Sequence, residues 1–326
     1  MRKTTKDRGV FLRSCVAMVA IFAMLLLVGC DNESNNKITD DEKSTNEIEY
    51  NDETYVAKKN VEAFLVMGLD KIAGESESNS YNNDQQADFL MLFVFDNDAK
   101  TCTAIHINRD TIAEVSVLGL AGNKVYTVEQ QIALAHTYGN GRKVSCRNVS
   151  DAVSDLLLGV KVNHYMSLKM DALQVFNDLV GGVEVEVLDD FSGIDEVLVK
   201  GERVTLMGEH ALHYVRTREG LDDSSNSTRM KRQQQYINAL YEKMQQVIAE
   251  DDEFIVDASL EMSDYITSDR SVTQLQELAR KFNQYEFKGI LSIDGESKLG
   301  EEFIEFYPDE DSIKDIVVSL FYEPKQ

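Results

Sequence analysis

The chain has 326 residues, a formal charge of −24, 43% hydrophobic residues, no Trp and only two Pro. That length buries a core as one large domain or two small ones, and so little Pro excludes a Pro-rich stalk. So acidic a chain is a poor general binder of nucleic acid or anionic lipid, and any basic site on it must be local.

The N-terminus sets the compartment. Arg2, Lys3, Lys6, Arg8 and Arg13 precede the apolar run "CVAMVAIFAMLLLVG", which leads into Cys30. A positive segment followed by an apolar one reads as an export signal, and the run is short for a membrane span of about 20 residues. "LVGC" at 27–30 is similar to a bacterial lipobox, in which Cys30 takes a lipid and becomes the mature N-terminus. The alternative is a single-pass signal-anchor with an incidental Cys. Either places the body on the outer face of the cell membrane. Residues 31–60 are polar, acidic and without apolar periodicity, and read as a flexible linker.

From Val61 the pattern becomes α/β. "AFLVMGL" (63–69) and "FLMLFVF" (89–95) are near-continuous apolar runs, the mark of strands buried on both faces. "DNDAK" turns the chain, and "TCTAIHI" (101–107) returns beside the second run. "VSDAVSDLLLGV" has helical spacing. A strand at 164–168, a helix ending at Gly181–Gly182 and a strand "VEVEV" (183–187) together predict a right-handed βαβ crossover. A long helix follows Arg229, with Ile237, Leu240, Met244, Val247 and Ile248 as its apolar stripe. A helix at "TQLQELARKF", strands at "FKGILSI" and "EFIEFY", and a helix at "EDSIKDIVVSLF" complete the chain. The expected fold is a single α/β domain over 61–326, a central mixed β-sheet with helices on both faces.

Two cysteines lie in the body, Cys102 and Cys146. An extracytoplasmic setting permits a disulfide between them, and two separately buried thiols are the alternative.

Asp88 precedes one buried strand, and "NRDT" places Arg109 and Asp110 just after the next. A tight turn makes those strands antiparallel neighbours, so the three residues should meet at one rim of the sheet. Two carboxylates there could hold a hard cation such as Mg²⁺, which takes oxygen ligands and often keeps substrate phosphates among them. They could equally be turn residues. In "YVRTREGLDDSSNSTRMKRQQQ", Arg216 and Arg218 point the same way if the backbone is extended. "SSNST" supplies helix caps, setting Arg229 and Arg232 near a helix start. Cations oppose the helix dipole there unless an anion docks, and guanidinium binds phosphate bidentately. A solvated basic face neutralised by Glu219, Asp222 and Asp223 is the alternative. His210 and His213 are spaced to share a metal, but the sequence offers them no partner. No Gly-rich phosphate loop or serine-nucleophile motif is present.

These pieces together resemble the LytR-CpsA-Psr family over roughly residues 61–326. The resemblance is carried by "ADFLMLFVFDNDAKTCTAIHINRDT", "HYMSLKMDALQVFNDLVGGVEVEV", "GEHALHYVRTREGLDDSSNSTRMKRQQQ" and "FYPDEDSIKDIV". It implies an extracytoplasmic enzyme that moves a glycopolymer (teichoic acid or capsule polysaccharide) from a polyprenyl-pyrophosphate carrier to peptidoglycan, with no nucleic-acid partner. It further implies Asp88 and Asp110 at a Mg²⁺–pyrophosphate site. Arg109, Arg216, Arg218, Arg229 and Arg232 would lie on the phosphates, with Gln233 or Gln234 nearby and an apolar groove for the polyprenyl tail. The chain departs from the family where R-S-D-T becomes Gln86-Ala87-Asp88-Phe89, and where Asn108 replaces Pro. Gln131 and Ala133 replace the Lys and Asn of a K-I-N-A-A-Y segment. A non-catalytic binder of polyprenyl-phosphate lipids and a lipid-pyrophosphate phosphatase are the alternatives.

Overall fold

The computed structural model describes residues 47–71, 83–223, 225–251, 254–282, 285–301 and 303–325. The expected signal segment and Cys30 lie outside these residues. β1 (Glu47–Tyr50) and β2 (Glu53–Ala57) form a hairpin. This corrects the linker expected over 31–60 at its C-terminal end. Ile48, Tyr50, Tyr55 and Ala57 stand at every second position and pack on the core from one side, a period of two that the dense acidic composition obscured.

β3 (Val61–Lys71), β4 (Gln85–Asp96) and β5 (Thr101–Ile107) then follow, with β4 antiparallel to both its neighbours. β6 (Ile112–Leu118) and β7 (Lys124–Gln131) make a separate hairpin, followed by a 3-10 turn at Ile132–Thr137 and α1 (Lys143–Leu156). β8 (His164–Lys169) joins the main sheet parallel to β3. α2 (Asp171–Leu179) leads to β9 (Val183–Glu186), which pairs with β10 (Arg203–Leu206). Next come α3 (Glu209–Arg216), α4 (Asn226–Glu250), α5 (Phe254–Met262), β11 (Ile266–Ser268), α6 (Val272–Phe282) and β12 (Glu286–Ser292). The hairpin of β13 (Gly295–Leu299) and β14 (Ile304–Pro308), then α7 (Glu310–Phe321) and β15 (Tyr322–Pro324), close the chain.

The central sheet has the order β11-β8-β3-β4-β5-β12 and is mixed. Side-chain alternation splits its core. Phe64, Val66, Phe93, Phe95 and Cys102 face α2 to α6, whereas Leu65, Met67, Leu92 and Ile105 face α1 and α7. Helices therefore cover both faces, and the apolar runs of β3 and β4 reflect burial on each side. Cys102 and Cys146 belong to these opposite layers and are separate buried thiols, so the sheet itself stands between them and no disulfide forms.

The expected βαβ crossover is also corrected. Among the described residues β9 pairs only with β10, outside the central sheet. Its Val-Glu alternation buries one face alone, as suits a surface ribbon rather than a central parallel strand. The stop at Gly182 stands: its φ is +84°, and a Cβ there would sit 2.5 Å from Met207 Sδ.

Phe95 is fully buried and stacks on Phe282 with centroids 3.6 Å apart. Phe95→Ala is expected to cost about 3–5 kcal/mol, read as a lower urea midpoint at unchanged slope.

Candidate active site at the sheet rim

The β4–β5 register pairs Leu90 with Ile107. Continued by two residues, it sets Asp88 opposite Arg109. Arg109 bridges the two carboxylates: its Nη1 pairs with Asp88 Oδ1, and its Nε donates to Asp110 Oδ1 at 3.1 Å. Asp110 is 1% exposed and Asp88 7%. Asp110 also accepts from Gln131 Nε2 (3.1 Å) on Oδ1 and from Arg218 Nη1 (3.4 Å) on Oδ2. Its backbone N–H donates to Asn108 Oδ1 at 3.0 Å, which fixes the turn carrying it.

The start of α4 supplies the next wall. Ser225 caps the helix, accepting from the Thr228 N–H. Arg229 closes the first turn and is 4% exposed. Its Nη2 donates to Asn226 Oδ1 (2.5 Å) and Asp88 O (3.5 Å), and Nη1 lies 3.6 Å from Asp88 Oδ2. Its buried Nε has no acceptor among the described residues, so the site holds an unused cationic donor. Asn226 in turn donates to Asn108 at 2.5 Å.

β3 brings a third carboxylate that sequence reasoning missed. Asp70 pairs across the strands with Gln86 and holds Arg216 Nε at 2.5 Å. Four guanidiniums thus meet three carboxylates, a formal surplus of one positive charge. Burial raises the proton affinity of Asp88; Arg109 and Arg229 oppose that rise, and Asp70 and Asp110 add to it. Burial lowers Arg229 to about 10, which leaves it cationic at neutral pH. Burial, with Arg229 nearby, lowers His106 to about 3, so that ring is neutral.

Arg216, Arg218 and Arg232 are placed differently from expectation. Arg216 ends helix α3, where its charge suits the dipole, and Arg218 lies beyond the helix, so the two do not share one face of an extended strand. Arg232 is not at the rim. It is 1% exposed, paired with Asp189 at 3.2 Å, and packed over Phe191 at 5.2 Å. It donates to Thr217 O, so it positions the segment between Arg216 and Arg218. Gln233 donates to Val215 O (3.1 Å), and Gln234 to Ser292 Oγ (2.9 Å). Neither bonds the Asp–Arg cluster. Asn108, Gln131 and Asn226, which do, are the site residues that spacing could not rank.

An apolar cavity of about 130 Å³ adjoins the rim. Gly68, Phe89, Ala172, Phe176, Val215 and Tyr236 are among its walls. Phe89 follows Asp88 in the chain and Val215 precedes Arg216, so charged rim and apolar cavity share two backbone segments.

The sequence pattern of the LytR_cpsA_psr family matches residues 24–319. The chain belongs to the LytR-CpsA-Psr family. It is 29% identical over 260 residues to cell wall biosynthesis protein LcpA of Corynebacterium glutamicum, covering 71% of this chain and 47% of that protein. It is 28% identical over 193 residues to TagV of Bacillus subtilis, named a polyisoprenyl-teichoic acid–peptidoglycan teichoic acid transferase, covering 57% and 44%. The chain thus spans about half the length of the curated relatives it matches. In fold, it is similar to the crystal structure of B. subtilis TagV, with TM-score 0.59 and 24% identity, over 81% of this chain and 96% of that one. TagT bound to LI-WTA gives a TM-score of 0.57 at 20% identity, covering 80% and 90%. Against the family pattern, the unusual Asn108 and Gln131 both bond Asp110, and Phe89 lines the cavity.

Asp189→Ala strands the buried Arg232 charge and is expected to cost about 3–5 kcal/mol, read by chemical denaturation. The neutral His106 makes a separate prediction. Its folded value is depressed, so its contribution is complete above the ordinary 6.5 and is lost as pH falls toward 3. Stability measured from pH 7 downward should fall less steeply in His106→Gln than in the parent.

Proposed function

We propose that this chain transfers a glycopolymer from a polyprenyl-pyrophosphate carrier to peptidoglycan on the outer face of the membrane. The observation that carries this reading is a cation-rich rim sharing its walls with an apolar cavity. A lipid diphosphate has that polarity: an anionic head on a hydrocarbon tail. The names of TagV and LcpA support the same reading. The N-terminal segment, through a lipid on Cys30 or as an anchor, holds the enzyme beside its membrane-borne donor. Among the described residues no helix is long and apolar enough to cross a membrane.

A peptidoglycan hydroxyl attacks the phosphorus next to the glycopolymer. The new O–P bond forms as the bridging P–O bond breaks, and polyprenyl phosphate leaves. Arg218 and Arg229, with Arg109 and Arg216, lie where negative charge grows on the bridging and leaving oxygens, which is how proteins chiefly assist phosphoryl transfer. Asp88, whose proton affinity burial raises, takes the proton of the attacking hydroxyl. Asp110, held by Arg109, Gln131 and Arg218, orients the Arg pair.

Mg²⁺ suits this donor set, since Asp88 and Asp110 offer only carboxylate oxygens and Asp110 Oδ2 is held by a single 3.4 Å contact. Asp110 would hold the ion, with Asp88 beside it left to act as the base, and the ion would draw charge from the phosphate oxygens.

Transfer from a labelled polyprenyl-pyrophosphate glycan to peptidoglycan tests the proposal. Asp88→Asn should lower turnover by roughly 10²–10⁴-fold and Arg218→Ala by roughly 10²–10³-fold. Ala172→Phe, which fills the cavity, should raise KM for long-chain donors more than for short-chain ones. Equal turnover in all variants would sink the assignment. Binding without turnover would mark a lipid binder, and free phosphorylated glycan a phosphatase.

A further inference from the structure

We propose that Asp195, His210 and His213 bind one divalent transition-metal ion of the zinc class, and that this ion clips the β9–β10 loop to helix α3. The two histidines are spaced i, i+3 and share one side of α3. The fold brings them the partner that the sequence did not reveal. Asp195 comes from the loop between β9 and β10, and both His210 Nδ1 (2.7 Å) and His213 Nδ1 (2.8 Å) reach the same oxygen, Oδ2. One ligand atom from each of the three residues lies within 4.8 Å of the others, the one such His/Cys/Asp/Glu group among the described residues.

Two imidazoles and a carboxylate are the protein donor set of many open zinc sites. Around zinc, donors at about 2.0–2.2 Å from the ion stand roughly 3.3 Å apart. Small side-chain rotations reach that spacing from 2.7 and 2.8 Å.

The charge argument is independent of the spacing. Asp195 is 7% exposed, and its ion-pair partners among the described residues are these two imidazoles. Its polar neighbours are thus hydrogen-bonding imidazoles with no Lys or Arg ion-pair partner among the described residues, and a buried carboxylate is costly without a cation. Asp195 Oδ1 is already used by the Val197 N–H at 3.1 Å. Both histidines are about one-third exposed, so an ion has a path in. A cavity of about 230 Å³, lined by Asp190, Ser192, Glu196, Leu198, Val199 and Lys200 besides Asp195, adjoins the carboxylate from the loop side.

The clip would act at a distance from the rim. Its loop carries Asp189 and Phe191, which hold Arg232, and its helix ends in Arg216. It differs in chemistry from the oxygen-only pair Asp88 and Asp110, and does not depend on the transferase reading.

Calorimetric titration of the full chain with Zn²⁺, in excess Mg²⁺ to fill oxygen-donor sites, tests it. One Zn²⁺ site is expected that weakens in Asp195→Asn, His210→Gln and His213→Gln. Losing even a supporting partner costs roughly 10–100-fold in affinity, and a direct ligand should cost at least that. His164→Gln, which alters a histidine elsewhere, should leave the site intact. Co²⁺ should give the parent an intense visible absorption of low-coordinate cobalt, a readout that needs no variant. Zn²⁺ affinity unchanged in all three ligand variants, or no cobalt absorption in the parent, would overturn the proposal.

Discussion

Charge taken out of water must be met by charge, and the rim of the central sheet is organised around that requirement. Asp88, Asp110 and Arg229 are each nearly inaccessible. Isolated, any one of them would shed its charge or unfold its surroundings. Arg109 joins the two carboxylates, and Arg229 joins the helix start to the strand end. The mutual pairing leaves a positive surplus and an idle Arg229 Nε. That residue of unmatched charge is what suits the rim to an anion.

The supporting groups explain why the cluster holds its shape. Asn108 accepts from Asp110 and from Asn226, so a strand end and a helix start share one side-chain oxygen. Gln131 ties Asp110 to the Ile304 carbonyl at 2.7 Å, linking in the β13–β14 hairpin. Arg232 performs the same service from beneath, holding the Thr217 carbonyl between two arginines of the site. The cavity then takes over where the polar groups end, because Phe89 and Val215 turn inward from the same segments whose neighbours turn outward.

The strands of the central sheet were legible because burial on both faces writes itself as unbroken apolar runs, as in "AFLVMGL" and "FLMLFVF". The meeting of Asp88, Arg109 and Asp110 followed from one tight turn and antiparallel pairing. What failed was local geometry. "EHALHYVR" is a helix whose polar and apolar residues fit no long stripe, so Arg216 and Arg218 were drawn on an extended chain. Arg232 looked like a ligand-binding residue because sequence shows its charge but not Asp189 from a distant loop. Asp70 was a lone acid ending a buried strand, and its partner Arg216 lies far along the chain. Asp195 was invisible to His210 and His213 for the same reason: the β9–β10 ribbon, not spacing, brings it to α3.

The antiparallel start of the main sheet has a consequence for orientation. The chain enters β3 at Val61, paired with Asp96, and reaches the rim nine residues later at Asp70, paired with Gln86. At about 3.3 Å per residue the entry point and the rim stand roughly 30 Å apart. Under the proposed transfer from a membrane-borne lipid, the rim would face the bilayer while the entry point lies at the far end of the body. Were Cys30 the attachment point of that proposal, 17 residues from there to Glu47 would span at most roughly 60 Å, longer than the sheet. A chain of that length exceeds the distance from entry point to rim, so attachment there would be compatible with a rim turned toward the bilayer.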